Sequence, residues 1–217
     1  MKMIDLYDLL DIVKAKYSLT PLDTSSCDNL KVSGMKFDIK AFKAKGLGHI
    51  SLMSAKGFFG LMKMDTLIIT PTELDLPIYS YDRIMAMGND TLITEMYDTM
   101  VSKISFDEVK KVVENYSQLP LRDPGAHWYD DIKLPESISF KGKKAVSADF
   151  DELSAQHLKS FLNTPAQQVT DQEAKKARSL YYINGLLEHG GPSTDVFVKA
   201  LGKEATEMLF HDILFGI

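Results

Sequence analysis

The spacing of apolar residues changes along this chain from a helical period to a strand period and back again. Leu6, Leu9 and Val13 follow a helical spacing with aspartates between them. This predicts an amphipathic first helix that ends before Pro21. From Met35 onward apolar and polar residues alternate, which predicts a strand with one solvent-facing side. The chain therefore begins with a helix and continues into a sheet.

Strand patterns continue through the middle of the chain, and short turns rich in glycine, proline and asparagine separate them. Further strands are predicted at 47–53, 61–69, 78–87 and 91–97. Links this short favour antiparallel neighbours, because parallel strands need longer crossover connections. The central half of the chain is thus predicted to be one antiparallel sheet.

After the sheet the helical period returns. Ser105 with Glu108, and Thr170 with Glu173, match the capping box that opens a helix. Helices are predicted at 106–116, 150–161, 170–187 and, on either side of Gly202, in 190–217. The proline-containing segment 119–144 is predicted as a long ordered loop that forms a lid or a pocket wall. Strands followed by helices, without alternation, predict an α+β fold.

Composition narrows the class of protein. A chain of 217 residues with 45% apolar residues can bury one core, so residues 1–217 are predicted to form one domain. The net charge of −5 argues against a nucleic-acid partner. No apolar run approaches the roughly 20 residues that span a bilayer, so no membrane partner is expected. The single cysteine, Cys27, excludes an internal disulfide, lies in a predicted polar loop and favours a cytoplasmic location.

Several familiar catalytic patterns are missing. No glycine-rich phosphate loop follows a predicted strand, which argues against a nucleotide enzyme. No metal site is expected either, because metal-ligand spacing is absent among the five histidines, His49, His127, His157, His189 and His211.

One carboxylate stands out in the strand-like run 74–87. Asp82 lies among apolar and aromatic residues, and burying even a neutral polar group without a partner costs about 2–7 kcal/mol. Asp82 is therefore the leading candidate for chemistry. The alternative is structural, with Asp82 ending a strand or pairing with Arg83.

Several strings, in order along most of the chain, resemble the ferredoxin-dependent bilin reductases and the related red chlorophyll catabolite reductase. Residues 48–82 (GHISLMSAKGFFGLMKMDTLIITPTELDLPIYSYD) resemble the family's sheet, in which a proline turn leads to a Leu-Pro strand that holds a catalytic aspartate. Leu134-Pro135 resembles the family's connecting region. Residues 197–215 (FVKALGKEATEMLFHDILF) are similar to the family's last two helices.

The resemblance implies a three-layer α/β/α sandwich whose central antiparallel sheet is flanked by helices. It also implies that an open tetrapyrrole lies between the sheet and the C-terminal helices. In that family no metal or flavin is bound; ferredoxin supplies electrons, and side-chain acids supply protons. We therefore expect a tetrapyrrole reductase without a tightly bound cofactor.

On the sheet, the resemblance carries over only in part. Asp82 matches the position of the family's catalytic aspartate. Where many members have a glutamate on the preceding strand, this chain has Ser51 or Met53. Asp65 stands where one branch has a histidine, and it could also move a proton. His49 is a further candidate on the same strand as Ser51.

Near the C-terminus, the family's aspartate ahead of the penultimate helix falls near Gly191. His189 and Asp195 lie close by, and either could substitute for it. Strand parity adds two ligand-lining candidates, because Ile84 and Ala86 share the face of Asp82 whereas the neighbouring methionines do not.

Two hypotheses from different classes follow. The retained Asp82 favours a reductase, and the missing family acids favour a non-catalytic binder or carrier of a tetrapyrrole or another flat hydrophobic molecule. A third alternative is the same fold with an unrelated ligand or a protein partner. Two lysine clusters could dock a ferredoxin, although clusters of this size are more typical of solvated surface. The first cluster is Lys36, Lys40, Lys43 and Lys45, and the second is Lys141, Lys143 and Lys144.

Overall fold

The alternating segments assemble into one eight-stranded sheet in a computed structural model, which describes residues 4–217. The strands are β1 (Leu19–Pro21), β2 (Lys31–Val32), β3 (Met35–Ala44), β4 (Gly48–Gly57), β5 (Met62–Pro71), β6 (Ile78–Ala86), β7 (Asn89–Tyr97) and β8 (Ile138–Lys143). Their order across the sheet is β1-β3-β4-β5-β6-β7-β8, and β2 also pairs with β3. Every pairing is antiparallel, as the short links predict.

Helices cover both faces of the sheet. They are α1 (Leu6–Lys14), α2 (Asp107–Glu114), α3 (Ser147–Asn163), α4 (Gln172–His189), α5 (Pro192–Leu201) and α6 (Lys203–Met208), followed by a π-helical segment, Leu209–Phe215. Apolar residues of α1, α2 and α3 share one core with the sheet, and those of α4, α5 and the π-helical segment share the other. We call these sides the α3 face and the α4 face. The predicted three-layer α+β sandwich is confirmed.

Alternation along β6 shows how one strand serves two cores. Tyr79 and Tyr81 enter the core on the α3 face, whereas Ile78 enters the core on the α4 face. Because successive side chains point to opposite sides of a sheet, the odd-numbered positions of β6 face α3 and the even-numbered positions face α4.

The sequence-based boundaries need three corrections. Segment 119–144 is not all loop, because its last residues form β8, which pairs with β7 far away in sequence. Neither predicted capping box opens its helix: α2 has no side-chain cap, and α4 is capped by Asp171, whose Oδ1 accepts from the Ala174 N–H at 2.9 Å. Cys27 is buried, in a short 3₁₀ turn rather than an open polar loop.

No helix in the described part of the chain, residues 4–217, is long and apolar enough to cross a membrane.

Two hairpin turns have unusual backbone conformations. Phe58 and Phe59, between β4 and β5, have φ values of 52° and 56°, and Met87, between β6 and β7, has a φ value of 51°. For residues other than glycine, a left-handed conformation costs about 1–2 kcal/mol each. Both turns lie at the same end of the sheet, because β4 to β7 run antiparallel in sequence order.

Candidate functional site

Asp82 lies on the α4 face of β6, toward the middle of the sheet. Its cross-strand neighbours are Thr66 of β5 and Ile93 of β7. The Thr66 hydroxyl donates a hydrogen bond to Asp82 Oδ1 at 2.5 Å. Burial raises the pKa of Asp82 from 3.8 to about 6, against the opposing effect of the Thr66 hydrogen bond. A carboxyl group with this pKa can exchange a proton near neutral pH.

A second carboxylate, Glu95, lies on the neighbouring strand and the same face. It pairs with Ser80, which is two residues before Asp82 on β6. The charge of Glu95 is a further cause of the raised pKa of Asp82. Glu95 Oε2 accepts a hydrogen bond from the Tyr97 hydroxyl at 2.5 Å. Lys133 Nζ lies 3.9 Å from Glu95 Oε1. The sheet therefore brings two carboxyl groups together at one site.

Glu95 was missed by the sequence analysis. It lies within the predicted strand 91–97, two residues from Ile93. Its parity along that strand was visible, but only the cross-strand register shows that it shares a face with Asp82. The sequence signal that could have identified Glu95 is therefore an acid on the predicted strand directly after the strand of Asp82.

Around Asp82 the sheet presents an apolar surface that no helix fully covers. Its residues are only partly buried, although they lie on central strands. We call this surface the open shelf and define it by Met62 and Met64 of β5, Ile84 and Ala86 of β6, and Ile93 of β7, with Asp82 among them. The predicted placement of Ile84 and Ala86 beside Asp82, with Met85 on the other side, is confirmed by the strand register. An exposed apolar surface of this kind is typical of an interaction site.

Aromatic rings border the site on the α4 side. Tyr97 stacks on Tyr182 of α4 with ring centroids 3.9 Å apart, and Tyr129 meets Tyr97 edge to face at 5.3 Å. Burial raises the pKa of all three tyrosines above the ordinary value of 10. Their hydroxyl groups therefore stay protonated, and that of Tyr97 is already the donor to Glu95.

A cation lies at the β8 side of the shelf. Arg122 Nη1 donates to the Ser139 hydroxyl at 3.1 Å, and Ser139 pairs with Ile93 across the strands. The Arg122 side chain is partly exposed, and no ion pair engages it among residues 4–217. Sequence reasoning had no signal for Arg122, because it lies in the segment 119–144 that was predicted to be a loop.

The structure does not bring Asp65 together with Asp82. Asp65 pairs with Arg83 across the strands, so it faces α3, on the opposite side of the sheet. There it accepts a hydrogen bond from Ser54 at 2.8 Å and lies 2.5 Å from Lys63 Nζ. Strand parity explains the difference, because Asp65 is one position away from Thr66, the residue that faces Asp82.

His49, Ser51 and Met53 do share the α4 face, on β4. The C-terminal segment engages the first two: His49 Nε2 lies 2.8 Å from the Ile213 carbonyl oxygen, and Ser51 Oγ donates to the Leu214 carbonyl at 2.8 Å. Burial lowers the pKa of His49, which favours the neutral imidazole. Met53 is buried in the same core. These contacts fix the end of the chain against the sheet.

His189 and Asp195 lie at the junction of α4 and α5. The His189 ring stacks on Trp128 at 5.0 Å, and Trp128 in turn stacks on Tyr182 at 6.0 Å. Asp195 packs against Gly190. Among residues 4–217, no hydrogen bond or ion pair joins either of them to Asp82.

Within residues 4–217, no group of three or more histidine, cysteine or acidic side chains is placed to hold a metal ion.

Comparison with known proteins supports the fold. No family model matches the chain, and no curated protein matches it by sequence. Among solved structures, the chain is similar to phytochromobilin synthase from tomato in complex with biliverdin, with a TM-score of 0.74 and 13% sequence identity. The match covers 97% of this chain and 81% of the tomato chain. At this identity the likeness shows a shared fold.

Proposed function

We propose that this protein binds a linear tetrapyrrole on the open shelf and reduces it with electrons from a ferredoxin, with Asp82 as the proton donor. The observation that carries the proposal is the position of Asp82, a carboxyl group with a pKa of about 6 in the middle of a half-exposed apolar surface. The similar tomato structure contains biliverdin, which guides the choice of ligand.

The electrostatics of the site suit proton donation. A flat apolar ligand over Asp82 would remove the remaining water and raise the pKa of its carboxyl group further. The charge of Glu95 acts in the same direction. Asp82 would then be protonated near neutral pH and could give its proton to a reduced pigment.

Linear tetrapyrroles carry carboxylate side chains, and the site offers a cation for them. Arg122 lies at the β8 side of the shelf and is held by Ser139. A guanidinium group binds a carboxylate through two parallel hydrogen bonds, which fixes orientation as well as position. We assign Arg122 the role of anchoring the ligand. In this proposal the chain supplies binding and protons, a ferredoxin supplies the electrons, and no cofactor is bound tightly.

The test is a titration of the purified protein with biliverdin, followed by visible absorption, and then the addition of reduced ferredoxin without oxygen. Binding followed by a change of the pigment band supports a reductase. Binding without that change favours the non-catalytic carrier instead, and a protein that does not bind biliverdin contradicts both.

Variants locate the chemistry. Asp82→Asn should keep biliverdin binding but lower turnover by about ten-fold to ten-thousand-fold, the usual contribution of a general acid. Asp65→Asn is the matched control, because it changes an acid of the neighbouring strand that lies one register position away and faces the opposite side of the sheet. Arg122→Met should weaken binding with less effect on the turnover of bound pigment. Equal turnover in Asp82→Asn and in the unmodified protein would remove Asp82 from the mechanism.

A further inference from the structure

Large apolar side chains project from one end of the sheet. At the β4–β5 turn, Phe58 and Leu61 are 57% and 68% exposed and Phe59 is fully exposed, and at the β6–β7 turn Met87 is 88% exposed. We call these four residues the apolar tips. The two turns lie about 10 Å apart, because two strand spacings separate the centres of the hairpins. The tips therefore form one surface.

Folding alone does not explain these residues. Phe58, Phe59 and Met87 adopt left-handed backbone conformations, which hairpin turns normally give to glycine, asparagine or aspartate. Their side chains are exposed, so packing within the chain does not compensate for the strain. Contiguous exposed apolar residues of this kind mark interaction surfaces.

Lysines surround the apolar tips. The strand register places Lys31, Lys36, Lys56 and Lys63 side by side across β2, β3, β4 and β5, directly behind the β4–β5 turn. Two more lysines, at positions 143 and 144, lie at the end of β8 beside the β6–β7 turn.

The acids closest to these lysines are already paired. Asp65 neutralises Lys63, and Asp90 is engaged by Arg83 at 2.5 Å. Among residues 4–217, the lysines of this group that have no ion pair are Lys31, Lys36, Lys56, Lys143 and Lys144. Although the whole chain has a net charge of −5, this end of the sheet is positive.

A concave site lies between the two hairpins. It has a volume of about 320 Å³ and is lined by apolar side chains, including Leu61 and Met85, and by the polar groups of Lys63, Lys144 and Asp90, the last of which is paired with Arg83. A lipid headgroup phosphate would meet the Lys144 ammonium group there, next to the exposed apolar side chains, because Lys63 is already paired with Asp65.

We propose that this end of the sheet docks on an anionic lipid bilayer. The apolar tips enter the boundary between headgroups and acyl chains, and the lysines pair with lipid phosphates. The arrangement favours a bilayer, because exposed apolar side chains bordered by lysines match the order of acyl chains and phosphates at an anionic bilayer surface. Docking of this kind needs no spanning helix, and it does not depend on tetrapyrrole binding. It revises the expectation from hydropathy that no membrane is involved, because that expectation concerned only membrane-spanning segments.

The test is co-sedimentation of the full chain with vesicles. We expect the protein to sediment with vesicles that contain phosphatidylglycerol, to stay in solution with vesicles of phosphatidylcholine alone, and to be released as salt is raised. Phe58→Ser with Phe59→Ser, and separately Lys36→Glu with Lys56→Glu, should each lower the partition coefficient at least about ten-fold. Leu121→Ser is the matched control, because Leu121 is 80% exposed away from the tips, and it should bind like the unmodified protein.

Three results would overturn the proposal: no sedimentation with anionic vesicles, an equal loss in Leu121→Ser, or no loss in the two tip and lysine variants. Retention on an immobilised ferredoxin that depends on the apolar tips, without vesicle binding, would also overturn it and assign the surface to an acidic protein. Urea unfolding of each variant checks that the fold is intact, which is expected because every substituted side chain is exposed.

Discussion

Asp82→Asn should make the protein more stable at alkaline pH, although it removes the proposed proton donor. The folded-state pKa of Asp82 is about 6, against an ordinary value of 3.8. The difference of roughly 2 corresponds to about 3 kcal/mol at 1.36 kcal/mol per pKa unit. Because the carboxyl group is partly exposed, solvent screening reduces this figure, and we expect a gain of about 1–3 kcal/mol at pH 8.

The sign follows from proton binding. Between pH 3.8 and pH 6 the folded state keeps the Asp82 proton while the unfolded state loses it, so ionisation of this group makes the protein less stable as pH rises through this window. Above pH 6 the penalty is fully present, and below pH 3.8 it is absent. An asparagine is neutral throughout, and its carbonyl oxygen can still accept the Thr66 hydrogen bond.

The assay is urea unfolding of both proteins at pH 4 and at pH 8. The difference in unfolding free energy should be largest at pH 8 and below about 1 kcal/mol at pH 4. An equal difference at pH 4 and pH 8, or a less stable variant at pH 8, would refute the raised pKa of Asp82. Thr66→Val provides a second check, because loss of the hydroxyl donor should raise the pKa of Asp82 further, as followed by NMR titration of its carboxyl carbon.

Three further predictions concern the rest of the fold. Arg83→Met should lower the unfolding free energy by about 3–5 kcal/mol, because it leaves the buried Asp90 carboxylate without a cation and with only the Ser147 hydroxyl as a side-chain donor. Urea unfolding measures the loss, and a change below 1 kcal/mol would contradict it. Gly185→Ala should cost about 1–3 kcal/mol and shift the fluorescence of Trp128, because the new methyl group would lie 2.1 Å from the indole ring; an unchanged emission spectrum would argue against this contact. Burial lowers the pKa of Lys175 from 10.5 to about 8, so stability should rise with pH between these values; Lys175→Met should lose that rise, and an unchanged pH profile would show that Lys175 is not its source.

Positive charge and exposed apolar groups at the hairpin end form a surface separate in chemistry from the open shelf. On the shelf, uncharged apolar side chains surround one titratable carboxyl group. At the hairpin end, lysines lie beside projecting apolar side chains. The two tests substitute different residues: Asp82 and Arg122 on the shelf, and Phe58, Phe59, Lys36 and Lys56 at the hairpin end. This allows the tetrapyrrole and bilayer proposals to fail independently.

The sequence by itself determined where the chain forms helices and where it forms strands, through the spacing of its apolar residues. Alternation predicted the central strands, and it placed Ile84 and Ala86 on the face of Asp82, because parity within one strand is fixed by the backbone. The unusual setting of one carboxylate was also readable, since few acids occur inside an apolar strand. Gly202 divided the last helices as expected, because it interrupts a helical pattern with a residue whose φ is 83°.

Only the tertiary structure decided which residues meet. Asp65 and Glu95 are both acids on predicted strands next to β6, yet the first faces α3 and the second faces α4. A register change of one residue would exchange these faces, and register is set by turns and long-range packing rather than by composition. β8 and Arg122 were missed for the same reason, since β8 is recognisable mainly through its distant partner β7. The sequence thus identified Asp82, and the pairing of strands supplied the groups around it.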